Sequence, residues 1–269
     1  MKLTQIRNAT LVLQYAGKKF LIDPMLAEKE AWDGFAGSAR PHLRNPMVAL
    51  PVPVEDLLAV DAVILTHTHT DHWDEAAQQA VPKDMLIYTQ DEKDAALIRS
   101  QGFFNIRVLK DENHFVDGLT IYKTDGQHGS NELYADAQLG DLLGDACGLV
   151  FTHHDEKTIY IAGDTVWVKP YVKSLQRFKP EIVVLNTGYA VNDLYGPIIM
   201  GKEDTLRTLK MLPTATIVAS HMESINHCLL TRAELREFSL EHGIEDKILI
   251  PADGETMAFS AWSHPQFEK

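Results

Sequence analysis

The chain has 269 residues, 45% of them apolar, enough for one domain with a sizeable core. Its 38 acidic against 25 basic residues leave a formal charge of −13, which argues against a nucleic-acid-binding surface. No apolar run reaches the roughly 18 residues of a membrane span, and the N-terminus alternates apolar and polar residues instead of carrying a signal-peptide core. A soluble cytoplasmic protein is expected, with self-association left open. Two cysteines, Cys147 and Cys228, are too few for a disulfide framework and read as reduced thiols.

Short β-rich runs are expected at residues 3–6, 10–15 and 18–22, the last two joined by the hairpin signal Ala16-Gly17. From 25 to 53, Gly34, Gly37 and Pro41, Pro46, Pro51 and Pro53 break every periodicity, and so long a loop is expected to border a functional site. An apolar strand at 62–65 feeds a His-rich turn and a helix near 74–80. A strand near 86–88, a helix near 91–101 and strands near 106–109 and 119–123 follow, then a second irregular stretch at 129–146. The second half repeats strands and helices: strands at 148–152, 158–161, 182–185, 217–219 and 248–250, and helices near 168–178, 202–212 and 232–242. Two β-rich halves with strand–loop–helix units imply sheets packed on each other with helices outside. The end of the chain, from Trp262 to Lys269, looks like a streptavidin-binding purification tag behind a Ser260-Ala261 linker. Residues 1–259 therefore form one expected domain, and 260–269 are linker and tag.

Chemistry concentrates in His67-Thr68-His69-Thr70-Asp71-His72, directly after the apolar strand. Imidazole and carboxylate suit zinc and its first-row neighbours, and four such ligands in six residues exceed what one open four-coordinate ion takes from one loop. Two ions explain the surplus. The competing reading is a run of capping and surface residues, which seldom places histidines so tightly beside a core strand.

This motif resembles the signature of the metallo-β-lactamase superfamily, and the likeness extends through Ala9-Thr10, Leu21-Ile22-Asp23-Pro24, Gly163-Asp164-Thr165 and Ser220-His221. The branch it most resembles includes ascorbate-6-phosphate lactonase and other metal-dependent hydrolases. The resemblance implies an α+β fold, an αββα sandwich of two mixed β-sheets flanked by helices. It further implies that His67, His69 and His128 hold one divalent ion, that Asp71, His72 and His221 hold the other, and that Asp164 bridges both. Zn2+ is the expected metal, with Mn2+ or Fe2+ as alternatives. His128 stands in Gln127-His128-Gly129, not in the Thr-Pro-Gly-His setting of glyoxalase-II-like relatives, which speaks against glutathione-thioester and β-lactam substrates.

Around this set, Asp23 is expected to orient a ligand histidine through its free ring N–H. Tyr189, Asn186 and Arg44 are candidates for substrate contact, Tyr189 as a donor to a developing oxyanion and Arg44, with Arg40 and His42, as a grip on an anion. His227 is a catalytic candidate, able to protonate a leaving group or hold a substrate anion. His114, His153, His154 and His242 read as structural or surface residues.

The expected activity is hydrolysis of a small molecule by a metal-bridging hydroxide, with Asp71 orienting the nucleophile. A lactone or carboxylic ester is the first expected substrate and a phosphodiester or phosphotriester the second. Two other classes remain, a non-catalytic metal-binding protein and a di-iron redox protein. The latter needs an electron-donor domain, for which no length is expected after residue 259.

Overall fold

The computed structural model describes residues 1–115 and 118–260, so the tag assigned to residues 262–269 lies outside the described residues. Short apolar runs build two seven-stranded sheets. The first contains β1 (Lys2–Arg7), β2 (Thr10–Tyr15), β3 (Lys18–Ile22), β4 (Ala62–Ile64), β5 (Ile87–Thr89) and β6 (Ile106–Val108), with β16 (Thr256–Ala258) beside β1. Its β1 to β3 half is antiparallel and its β3 to β6 half parallel. The second contains β7 (Glu112–His114), β8 (Thr120–Asp125), β9 (Cys147–His153), β10 (Glu156–Ile161), β11 (Ile182–Asn186), β14 (Thr216–Ser220) and β15 (Ile248–Leu249). It repeats the division, antiparallel from β7 to β10 and parallel from β10 to β15.

Both faces of each sheet are covered. Leu11, Phe20 and Ile64 of the first sheet meet Leu149, Phe151 and Val184 of the second in the central core. The neighbouring residues Val12, Leu21 and Val63 point the other way, against Leu57 of α1 (Val54–Leu57), Ala77 of α2 (Glu75–Ala80) and Ile98 of α3 (Glu92–Ser100). On the second sheet, Val150, Val183 and Ile217 face Leu175 of α6 (Lys169–Phe178), Leu209 of α7 (Lys202–Met211) and Leu235 of α8 (Arg232–Glu241). This is the expected αββα sandwich. Each fully buried Leu or Ile contributes about 1.5–3 kcal/mol of transfer free energy, so these central and outer layers are the main source of stability. No described helix is long and apolar enough to cross a membrane.

The hairpin expected at Ala16-Gly17 is present: Tyr15 pairs with Lys18 and both turn residues have positive φ. The stretch 25–53 lacks regular elements up to α1, apart from bridges such as Trp32 to Asn45. It is anchored by the fully buried Arg7 guanidinium, which donates to the carbonyls of Met25, Ala27 and Val48. The stretch 129–146 departs from expectation. It folds into α4 (Asn131–Ala135) and α5 (Ala137–Leu143), each started by a side-chain cap, Ser130 and Asp136. Helices of five and seven residues are too short to leave a readable apolar period. A small hairpin, β12 (Val191–Asn192) with β13 (Gly196–Pro197), was likewise not anticipated.

Candidate metal centre

Parallel strands deliver their C-terminal ends to one edge of the sandwich, and the polar residues collect there. The chain leaves β4 into His67–His72, leaves β10 into Gly163-Asp164, and leaves β14 at His221. Left-handed backbone occurs at two strand ends on this edge, with φ of 47° at Asp23 after β3 and 60° at His221 after β14. Non-glycine residues held in this region carry strain that the surrounding packing must offset, which suits a position aimed for function. Gly163 and Gly188 are required for space. A Cβ at Gly163 would stand 2.3 Å from the Cys147 carbonyl oxygen, and one at Gly188 would stand 1.9 Å from that of His221.

Two groups of donor atoms result, His67 with His69 and His128, and Asp71 with His72, Asp164 and His221. His67 Nε2 lies 3.0 Å from His69 Nδ1, and His72 Nε2 lies 3.2 Å from His221 Nε2. The Asp164 Oδ2 atom stands between the groups, 3.1 Å from His72 Nε2 and 3.2 Å from His128 Nε2. Asp71 Oδ2 is 3.1 Å from His221 Nε2.

The outward nitrogen of each ring is engaged elsewhere. His72 Nδ1 donates to Asp23 Oδ2 at 2.8 Å, and Asp23 also accepts from the Thr66 backbone N–H and hydroxyl. The Thr66 hydroxyl oxygen can in turn accept from His67 Nδ1 at 3.2 Å, so one carboxylate orients a ring in each group. His128 Nδ1 donates to the Ile198 carbonyl at 2.8 Å and His69 Nε2 to that of Leu142 at 3.2 Å. The His221 Nδ1 atom faces Cys228 Sγ at 3.4 Å. With those outward nitrogens engaged, five ring nitrogens face each other and two carboxylates, an arrangement that a cation satisfies. The donor set therefore fits divalent metal.

The electrostatics agree. Burial pulls the His72 ring down, but Asp164, Asp71 and Asp23 outweigh it and hold its pKa at about 10. Burial would likewise lower His221, yet Asp164 and other neighbours raise it well above an ordinary imidazole. Asp71 and Asp164 stay well below the usual carboxylate range, because nearby histidines outweigh the burial that would raise them. Buried carboxylates thus demand positive charge at this spot. His67 and His69 go the other way, His69 to about 4, since burial and neighbouring rings disfavour a proton there.

A cavity of about 600 Å³ opens onto Asp71, His128 and Asp164. The stretch 25–53 walls it as expected, through Phe35 and Ser38, and α5 walls the other side through Leu139, Leu142 and Leu143. The tip of the β12–β13 hairpin adds the exposed Leu194. His227 also lines it and is buried, with burial pushing its ring down to about 4.

Three expected substrate contacts are corrected. Asn186 is buried and donates to Asp164 Oδ1 at 2.6 Å, so it orients the central carboxylate. Tyr189 turns away at a φ of 52°, packs over Gly201 and lines a different surface hollow with Leu229 and Leu230. Arg44 pairs with the exposed Asp33 and donates to the carbonyls of Glu30 and Ala31, outside the cavity. Sequence reasoning also missed Asn8, whose amide donates to the Asp71 carbonyl at 3.0 Å and approaches its Oδ2 at 3.4 Å. Its positive φ of 55° in the turn between β1 and β2 follows no motif that a sequence would reveal.

A model of the β-lactamase superfamily domain matches residues 18–222. The chain belongs to the metallo-β-lactamase superfamily. Within this superfamily it is 46% identical over 260 residues to the UPF0173 protein YddR of Bacillus subtilis, covering 96% of this chain and 100% of the relative. It is 26% identical to a UPF0173 metal-dependent hydrolase of Bacillus cytotoxicus, covering 82% of this chain and 85% of the relative. Among solved structures, an isothiocyanate hydrolase from Delia radicum gut bacteria is 98% identical, with a TM-score of 0.92, covering 97% of this chain and 100% of that one. A "possible metal-dependent hydrolase" from Veillonella parvula is 43% identical with a TM-score of 0.94, covering 96% of this chain and 99% of that one. The protein is a metal-dependent hydrolase of this superfamily.

Proposed function

We propose that this protein hydrolyses isothiocyanates, R–N=C=S, at a site holding two divalent ions. The observation that carries the reading is the 98% identity, over 97% of the chain, to an isothiocyanate hydrolase. The cavity supports it chemically. An isothiocyanate has one electrophilic carbon and, commonly, an apolar R group. Phe35, Leu139, Leu142 and Leu194 offer that group an apolar wall, while the polar end of the cavity meets the reacting carbon.

His67, His69 and His128 would hold one ion, and Asp71, His72 and His221 the other, with Asp164 between them. Ions bound there would acidify an attacking water at neutral pH and supply a Lewis acid for the developing negative charge. The remaining work belongs to the chain. Asp71 faces the cavity and can hold the attacking oxygen in line by accepting its proton in a hydrogen bond. Asp23 and Asn186 keep the donor groups oriented, and the apolar wall excludes bulk water. Overall, RNCS and H2O give RNH2 and COS.

The ascorbate-6-phosphate lactonase resemblance suggests attack on an sp2 carbon by the same groups, and a phosphoester reading would use the same two ions to hold a phosphoryl group. A panel decides among them: benzyl and allyl isothiocyanate, γ-butyrolactone, 4-nitrophenyl acetate and bis(4-nitrophenyl) phosphate, each with zinc, manganese or iron(II). Amine release from the isothiocyanates is expected to exceed turnover of every other substrate. Lactone or phosphodiester turnover without amine release would overturn the assignment.

A further inference from the structure

His227 is gripped on all sides by its backbone while its ring is left to the cavity. Arg40 donates through Nε to the Asn226 carbonyl at 2.8 Å and through Nη2 to the Cys228 carbonyl at 2.6 Å, bracketing the residue. Val191 N–H donates to the His227 carbonyl at 3.2 Å. The Asn226 backbone N–H donates to Asn45 Oδ1 at 2.8 Å. Asn226 Oδ1 accepts from the Phe35 N–H at 3.0 Å, which places the Phe35 ring edge-on to His227 with centroids 4.9 Å apart. Against this, the ring makes a single long approach, Nδ1 to Asn226 Oδ1 at 3.5 Å, and Nε2 makes no hydrogen bond to any described residue. A buried imidazole that is rigidly placed and polar, but not satisfied by the protein, is what a site keeps for its substrate.

We propose that His227 is the catalytic residue that carries protons to the nitrogen of the isothiocyanate. This rests on the isothiocyanate reading above. The attacking water gives one proton to the neutral His227 ring as its oxygen bonds to the central carbon. The C=N π pair moves onto nitrogen, and His227 returns that proton to it, giving R–NH–C(=S)–OH. The C–N bond then breaks with its electron pair on nitrogen, while the hydroxyl proton passes through the same ring to that nitrogen. RNH2 and COS leave, and His227 ends neutral as it began. The ring thus alternates as acceptor of the first proton and donor to the nitrogen, as general acid–base catalysis requires.

The role predicts a dependence on the leaving amine. His227→Gln and His227→Phe are each compared with the unaltered protein, at matched metal content, on isothiocyanates from benzyl, which releases a basic amine, to 4-nitrophenyl, which releases a weakly basic one. Loss of proton delivery should lower kcat by about 10²–10⁴-fold for benzyl isothiocyanate and far less for the 4-nitrophenyl compound, with KM little changed. His227→Gln keeps a polar side chain and guards against a packing failure in the phenylalanine variant. A fall in kcat equal across the series in both variants, or kcat within threefold of the unaltered protein, overturns the proposal. If the unaltered protein releases no amine from any isothiocyanate, the functional assignment fails and this proposal fails with it. A flat series from an active protein removes the His227 role alone.

Discussion

Asp23 has a reach that its place in an Asp-Pro turn does not advertise. It accepts from His72 directly and can reach His67 through the Thr66 hydroxyl, so its carboxylate fixes a ring in each donor group. Replacing it with Asn keeps the volume but removes the charge that supports both rings. Asp23→Asn is therefore expected to weaken metal affinity by about 10–100-fold, measured by competition with a chromophoric chelator; unchanged affinity would remove Asp23 from this role. A second expectation concerns protons. Carboxylates hold His72 protonated up to about 10 in the metal-free protein, so near pH 7 a metal must displace that proton. Metal uptake should release protons, and affinity should rise with pH, as read in a weakly buffered dye titration. Uptake without release would contradict the charge balance. At this scale the sequence is legible where ligands are neighbours. His67, His69, Asp71 and His72 fall within six residues, and local chemistry exposes them. Asn8, Thr66, Cys228 and the carbonyls of Leu142 and Ile198 act on residues that mostly lie far along the chain, and nothing local marks them.

Elements explain why the walls of the site hold their shape without long helices or broad sheets. Asp74 caps α2 by accepting from the Ala77 N–H at 2.8 Å, and its other oxygen accepts from Ala27 N–H at 2.7 Å. One buried side chain thus starts the helix after the histidine motif and pins the loop that begins at Met25. Asp74→Ala is expected to cost about 2 kcal/mol, at the upper end for a lost cap, because the Ala27 donor is left unsatisfied too. Thermal unfolding of metal-loaded protein checks this, and a Tm within about 1 °C of the unaltered protein would contradict it. The longer strands and helices are readable because an apolar run of five or six residues, or helical spacing over ten, survives without knowledge of neighbours. α4, α5 and the β12–β13 hairpin are not, being seven residues or fewer and held by caps on the helices and by an apolar cluster around Leu133, Ala190 and Ile198. Tyr189 was misplaced for a related reason: a strand end alone does not say that the chain will turn left-handed and send the ring toward Gly201.

For the whole molecule, two halves with the same change from antiparallel to parallel strands bring their parallel ends to a common edge. His67, Asp164 and His221 arrive there from segments more than fifty residues apart, which ties the donor set to the integrity of both sheets. Asp164→Ala is expected to lower metal content and abolish turnover together, with full activity in metal-poor variant protein as the contrary result. The measurement that tests the account most directly is amine release from benzyl isothiocyanate by metal-stripped protein as zinc is titrated back. No release is expected from stripped protein, followed by a rise that levels off at about two equivalents, as the proposed two-ion site requires. Release at full rate without added metal, or no release at any zinc level, would contradict it.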